Sequence, residues 1–144
     1  MDARIEAARI EDVDGVFALL TEQHLPLDGL RDHVWSLLVA RKEGRIVGSA
    51  ALEMYADGAL LRSVAVADAF RGQGLGRELT DAAIALARGQ HVPAVYLLTT
   101  TADQYFPKFG FERITRADVP ATVQASVEFQ SACPASAIVM RKRL

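Results

Sequence analysis

The sequence predicts a mixed α/β fold, a mostly antiparallel sheet flanked by about four helices, in a single domain over residues 1–144. Three observations carry that expectation. Apolar spacing switches repeatedly between a period near two and a period near 3.6, so strands and helices alternate. Two tight-turn pairs, Glu43-Gly44 and Asp57-Gly58, separate consecutive apolar runs and mark an antiparallel meander. A continuous apolar run, Val95 to Thr99, lies between two helical patterns and reads as a strand buried on both faces.

The elements follow in order. Arg4 to Arg9 alternates loosely, as a half-exposed strand does. From Asp12 the spacing changes: Val13, Val16, Phe17 and Leu20 share one helical face, which outweighs the cost of Gly15. The stretch from His24 to Gly29 is a loop by its proline and glycine. The meander strands are Trp35–Ala40, Ile46–Tyr55 and Leu60–Val66. Leu75, Leu79, Ala82, Ala83 and Leu86 line the next helix, which Gly89 and Pro93 end. After the buried strand, a short helix around Ala102 to Lys108 ends at Gly110, and Phe111 to Thr115 reads as a strand. Asp118 and Pro120 mark a helix start running toward Gln130, and Ala137 to Arg143 forms the last strand.

Composition excludes several function classes. The chain is 51% hydrophobic and 24% charged, which fits a folded domain large enough to need no disulfide or metal. A net charge of −2 argues against a nucleic-acid surface, which needs clustered positive charge. The single cysteine, Cys133, allows no intrachain disulfide, and His24, His33 and His91 show no metal-ligand spacing. No apolar run reaches the roughly 18 residues of a membrane span, and Met1 to Glu6 holds no apolar signal core. The expectation is a soluble, cytoplasmic domain with no metal, nucleic-acid or membrane partner.

The most informative segment is Val64-Ala65-Val66-Ala67-Asp68-Ala69-Phe70-Arg71-Gly72-Gln73-Gly74-Leu75-Gly76. A strand runs into three alternate glycines and then a helix. Amides of a first helical turn have no partner inside the helix, and with the positive end of the dipole they make an anion site, most naturally for phosphate. Arg71 adds a full positive charge. Walker and dinucleotide registers both fail, because Arg77 or Leu79 falls where a glycine is required.

Arg71-x-x-Gly74-x-Gly76 resembles the acetyl-CoA pyrophosphate loop of the GNAT N-acetyltransferases, and Phe109-Gly110-Phe111 resembles the family's Gly-Phe helix ending. The element order agrees with a GNAT-like fold over essentially the whole chain. The resemblance implies acetyl-CoA as co-substrate. Val64, Ala65 and Val66 would then hold the pantetheine arm as an added strand, and the amides from Gly72 through Gln73, Gly74 and Leu75 to Gly76 would hold the pyrophosphate. Thr99 stands where the family often has an asparagine touching the arm, and Phe106 where many members have a tyrosine acid. Tyr105, the neighbour of Phe106, is therefore the candidate acid for the leaving thiolate, with a plain packing role equally open.

Glu53, a polar exception in its apolar strand, is the candidate base, against the alternative of a solvent-facing carboxylate. Arg62, followed by Ser63, lies in the strand expected to be most buried. Period-two geometry puts it on the side of Val64 and Val66, so either Glu53 or a substrate acid group must pair it. The substrate is the favoured partner, because a guanidinium forks well onto a carboxylate. Leu97 to Ala102 resembles the short amino-acid acetyltransferases. The stretch Phe129 to Ala137, with Leu61 to Val66, resembles the bacterial arsenic-resistance N-acetyltransferases. Both imply a small amine that carries an acid group, an amino acid or an arsenical or phosphinate analogue. The resemblance leaves open an N-acetylglutamate-synthase-like enzyme, a non-catalytic acyl-CoA-binding module, and a homodimer.

Overall fold

The computed structural model describes residues 3–133 and 136–144. Met1 and Asp2 of the amino-terminal reading, and Pro134 and Ala135 of the arsenic-type tail motif, lie outside the described residues. Seven strands form one sheet in the order β1-β2-β3-β4-β5-β7-β6. They are β1 (Arg4–Ala7), β2 (Leu37–Lys42), β3 (Arg45–Tyr55), β4 (Gly58–Val66), β5 (Ala94–Thr99), β6 (Glu112–Ile114) and β7 (Ile138–Arg143). Every neighbouring pair is antiparallel except β4 and β5. The helices are α1 (Val13–Glu22), α2 (Leu75–Gly89) and α3 (Ala121–Gln124).

The meander, the first two helices and the buried strand match the periodic reading within a few residues. Other expectations need correction. Trp35 is not in a strand: it lies near the end of a 3-10 segment, Leu30–Ser36, and stands 91% exposed, because β2 enters its ladder only where Leu37 meets Ala51. The carboxy-terminal helix is also not continuous. It breaks into the single turn of α3 and a π-turn, Glu128–Ala132. The segment expected near Ala102 to Lys108 is a 3-10 turn, Phe106–Phe109, stopped by Gly110 at a φ of 91°.

Two layers bury the sheet. On one face α2 presses Leu75, Leu79, Ala83 and Ile84 onto Leu52, Leu61, Val95 and Leu97. On the other, α1 presses Val16, Leu19 and Leu20 onto Val39, Ala51 and Ala65, while Val119 and Val123 cover Leu60, Tyr96 and Val139. A helix whose apolar residues recur at 3.6 buries one stripe in this way, and most of its stability comes from that packing.

The pairing of β4 with β5 is brief. Only Ala59 with Val95 and Leu60 with Tyr96 are in register, and beyond them the two strands part. Gly58 sits at the closed end. A Cβ there would stand 2.8 Å from the Tyr96 ring and 3.1 Å from the Ala94 carbonyl, so the approach of β4 to β5 requires glycine.

A second irregularity lies just above. Arg62 pairs with Ala51 and Ala65 with Ser49, which leaves Ser63 and Val64 together against Ala50. Ser63 takes a φ of 59°, and the Ser49 hydroxyl donates to its carbonyl at 2.7 Å. This β-bulge inserts one residue and reverses the alternation. Leu61, Val64 and Val66 consequently face the α2 side, and Ala65 the α1 side. Arg62 therefore lies on the opposite face from Val64 and Val66, a correction to the period-two expectation.

Gly58→Ala should lower stability by about 1–3 kcal/mol through overpacking against Tyr96. The check is the urea midpoint at constant m; a midpoint equal to that of the parent would show that the close approach is not required.

Candidate active site

The parting of β4 and β5 opens a cleft of about 960 Å³. Its walls are the unpaired edges from Leu61 to Val66 and from Leu97 to Ala102; α2 begins at one end, and the loop His24–Pro26 closes the other. Ser63, Val64, Ala65 and Val66 line it, as do Arg71, Gly72, Gly74, Leu75, Gly76, Thr99, Tyr105 and Phe106. Gln73 is exposed beside the cleft without lining it, and Glu53 does not line it at all.

At the α2 end the sequence folds into a bare helix terminus. Gly72 and Gly74 have φ of 78° and 83°, which only glycine adopts at little cost. The residue that caps α2, Gly74, offers no side-chain acceptor, and the first intrahelical bond from this cap is Glu78 N–H to its carbonyl at 3.1 Å. The preceding amides are left free at the positive end of a 15-residue helix. Gly76 is small for a different reason: a Cβ there would meet the Tyr105 hydroxyl at 3.1 Å. Arg71 is exposed, tethered to α1 by donating to Gln23 Oε1 and lying 3.4 Å from Asp68.

The aromatic and hydroxyl groups along the cleft have defined surroundings. Tyr105 packs against Phe106 and Phe109, with ring centroids 5.2 and 5.3 Å apart, and its hydroxyl lies against Gly76 and Thr80. Burial raises its pKa, so it stays protonated at neutral pH. Phe106 is buried in the core beneath the cleft. Thr99 Oγ1 accepts from the amides of Ala102 at 2.8 Å and Thr101 at 3.3 Å, which leaves its own proton to donate.

The other end of the cleft holds a buried charge cluster. The Arg62 side chain is fully buried. It donates to Glu53 Oε2 at 2.9 Å, to the Asp28 carbonyl at 2.6 Å, to the Pro26 carbonyl at 3.1 Å and to Ser63 Oγ at 3.2 Å. Its Nε also stands 3.2 Å from Glu128 Oε2. Of the two partners open to Arg62, the internal carboxylate is the one present, and a second carboxylate joins it. Glu53 faces no solvent: it is 1% exposed, accepts from the Tyr55 hydroxyl, and has His33 Nε2 at 3.4 Å.

Three members of this cluster, Glu128, Tyr55 and His33, escape the periodic reading, which sees only one strand or helix at a time. One signal does point to Glu128. It is the sole charged residue between Asp118 and Arg141, and an isolated charge in so apolar a stretch has to be buried against a partner. Burial pushes its carboxyl up to about 7, against the opposing pull of Arg62. Cys133 lines the cleft beside it, and burial together with Glu128 pushes the thiol up to about 12, so it is no thiolate. Of the histidines, His24 lines the cleft and His91 is exposed at the end of α2. No group of three potential metal ligands occurs among the described residues.

Arg62→Ala should cost about 3–5 kcal/mol in a denaturant titration, because it strands two buried carboxylates and two carbonyls. A loss below about 1 kcal/mol would contradict the pairing. The pH dependence has a definite sign. A carboxyl raised from its ordinary 4.5 to about 7 contributes stability below pH 4.5 that is lost as pH climbs through 7. Relative to Glu128→Gln, the parent should therefore lose up to about 3 kcal/mol between pH 4.5 and 8. Thermal melts of both proteins across that range check it; parallel curves would refute it.

Comparison with known proteins agrees with the geometry. The fold is shared with N-acetylglutamate synthase of Neisseria gonorrhoeae complexed with coenzyme A and N-acetyl-glutamate. The TM-score is 0.85 at 24% identity, over 100% of this chain and 35% of that one. It is shared also with Rv2747 of Mycobacterium tuberculosis in complex with CoA, at a TM-score of 0.81, 23% identity and 98% and 99% coverage. In sequence the chain is 26% identical to an uncharacterized N-acetyltransferase of Chlorobaculum tepidum, over 85% of this chain and 83% of the relative. It is 30% identical to the amino-acid acetyltransferase of Pseudomonas fluorescens over 88% of its length, but spans only 31% of that protein. Residues 32–113 match the acetyltransferase (GNAT) domain. That match covers more than half of the chain, which thus belongs to the GNAT family of N-acetyltransferases.

Proposed function

We propose that the protein transfers the acetyl group of acetyl-CoA to the amine of a small molecule that also carries an acid group, an amino acid or a close analogue. The observation that carries this reading is the gap between β4 and β5, which leads directly onto the uncapped amides of α2. An extended pantetheine arm fits such a gap as an extra strand along Val64, Ala65 and Val66, because unpaired strand edges offer regularly spaced donors and acceptors. The diphosphate then meets the amides from Gly72 to Gly76 through Gln73 and Leu75, and the positive charge of Arg71. Thr99 donates to the arm, and Phe106 packs beneath it.

This alignment brings the thioester to the bulge. β5 pairs with neither Ser63 nor Val64, so the edge of β4 there faces the cleft, and an amide on it would serve the oxyanion that forms when the amine attacks. The amine nitrogen bonds to the carbonyl carbon, the carbon–sulfur bond breaks, and the thiolate departs. Tyr105 is the protonated side-chain acid lining the same cleft, and the displaced amine proton is the alternative source for the sulfur.

Arg62 and Ser63 form the floor of the acceptor end. Arg62 holds the loop carbonyls of Pro26 and Asp28 and thereby shapes the wall against which the acceptor lies. The likeness to amino-acid acetyltransferases supports an amino-acid acceptor. An arsenical or phosphinate analogue of an amino acid is the narrower version of the same reading. Such a molecule would be taken, like the amino acid, through its amine and oxyacid groups.

Gly74→Val should weaken acetyl-CoA binding at least tenfold by isothermal titration, since valine resists the required φ and crowds the amides. Unaltered affinity would remove the diphosphate from this loop. Thiol release from acetyl-CoA with a panel of amino acids tests the acceptor class. Tight cofactor binding without turnover on any of them would favour a non-catalytic acyl-CoA-binding module.

A further inference from the structure

We propose that Glu128 is the catalytic residue that takes the proton from the acceptor's ammonium group, an assignment that rests on the acyl-transfer reading above. Two carboxylates meet Arg62, and their surroundings divide their roles. Glu53 is behind the guanidinium, outside the cleft lining, and its oxygens are occupied by Arg62 Nη1 and the Tyr55 hydroxyl, with His33 beside them. It is a fixed counter-ion and a positioning residue. Glu128 is on the cleft side of the same arginine, in the lining with Ser63 and Cys133. One of its oxygens stands 3.2 Å from Arg62 Nε, and the Cys133 thiol hydrogen-bonds the carboxylate, so it has two partners where Glu53 has three.

The charge balance favours a cation at this place. The Arg62 guanidinium faces two carboxylates, with His33 3.4 Å from the outer one and Arg116 acting from further off on Cys133. An incoming ammonium completes the balance and is held beside the bulge. Its proton passes to the Glu128 carboxylate, and the freed lone pair attacks the thioester carbon. When the tetrahedral adduct collapses, a second proton leaves nitrogen for the departing sulfur, giving the amide and free thiol. Glu128 returns its proton to solvent through the open cleft. Arg62 from β4, Glu53 and Tyr55 from β3, Asp28 from the loop and Cys133 from the tail all bear on the Glu128 charge. Burial outweighs Arg62 among them and leaves a carboxyl near 7, suited to accepting a proton at neutral pH.

The test is the pH profile of kcat/KM with the amino-acid panel, for the parent, Glu128→Gln and Glu128→Asp. The parent rate should fall on the acid side of pH 7. Glu128→Gln should lose about 100-fold or more in kcat together with that acid limb, at unchanged acetyl-CoA affinity. Glu128→Asp, which keeps the charge beside Arg62, should recover part of the rate and retain an acid limb. A Gln variant with parental kcat, or one slowed with its acid limb intact, overturns the role of Glu128 while leaving the functional reading standing. Should Glu128→Gln fail to bind acetyl-CoA, the Asp variant and an acceptor amine of lower pKa decide: the faster such an acceptor restores the variant relative to the parent, the better the assignment, and no relative gain overturns it. Absence of parental turnover on every acceptor overturns the acyl-transfer reading, and this assignment with it.

Discussion

The organising constraint of this molecule is the failure of two adjacent parallel strands to stay paired. β4 and β5 share two residue pairs and then diverge, although backbone N–H and C=O groups left unpaired away from water are costly. The divergence is held by what packs around it. Gly58 brings the strands into contact at one end, the Ser63 bulge twists β4 at the other, and Phe106 and Leu97 are anchored in the α2-side core. An open strand edge of this kind invites pairing with another extended chain. In a cleft beside a bare helix terminus, that edge suits a slender linear ligand with a negative end.

The bulge is the point where donor and acceptor halves meet. By inserting one residue it lets Leu61, Val64 and Val66 face α2 while Arg62 turns to the other face. Without it, strict alternation from Leu61 would leave Val64 and Val66 on the face of Arg62, away from α2. With it, Arg62 reaches across to two loop carbonyls and two carboxylates from separate parts of the chain. A buried cluster of this kind contributes less net stability than a well-packed apolar one would, and its benefit is in fixing geometry. Here the fixed geometry is that of the acceptor wall.

These features differ in how visible they are in the amino-acid order. The strands, α1 and α2 follow from apolar periodicity, because each buries one stripe or face and needs no knowledge of its neighbour. The glycine loop is legible for a similar reason: Gly72 and Gly74 answer to local backbone demands, although the contact of Gly76 with Tyr105 does not show in the local sequence. The bulge is not, since Ser63 adopts a positive φ with no glycine to announce it. Once it is missed, Arg62 is assigned to the wrong face. Trp35 is misjudged by the opposite error, for an apolar residue beside a strand run is counted into it although it lies wholly exposed. The tail fragments because Glu128 is drawn inward to Arg62, a contact between residues 66 positions apart in the chain that no local pattern encodes.

The same distinction accounts for where the likeness to relatives is informative. The donor half of the cleft is made largely from backbone: strand edges, three glycines and free amides. Backbone groups are common to every residue type, so this half survives extensive sequence change as long as the turns and the helix start are kept. The acceptor half is built from the side chains of Arg62, Ser63, Glu128 and Cys133 and the loop from His24, brought together from three distant segments. At identities near 30% those side chains are free to differ, even where the sheet and helices superimpose closely. Shared architecture therefore preserves the cleft and the helix start, whereas the charges around Arg62 are free to differ. On the proposed reading, a change of acceptor would be made there, in groups that also hold the loop carbonyls of Pro26 and Asp28. Altered specificity and altered stability should consequently be coupled at Arg62 and Glu128 and uncoupled at the glycine loop.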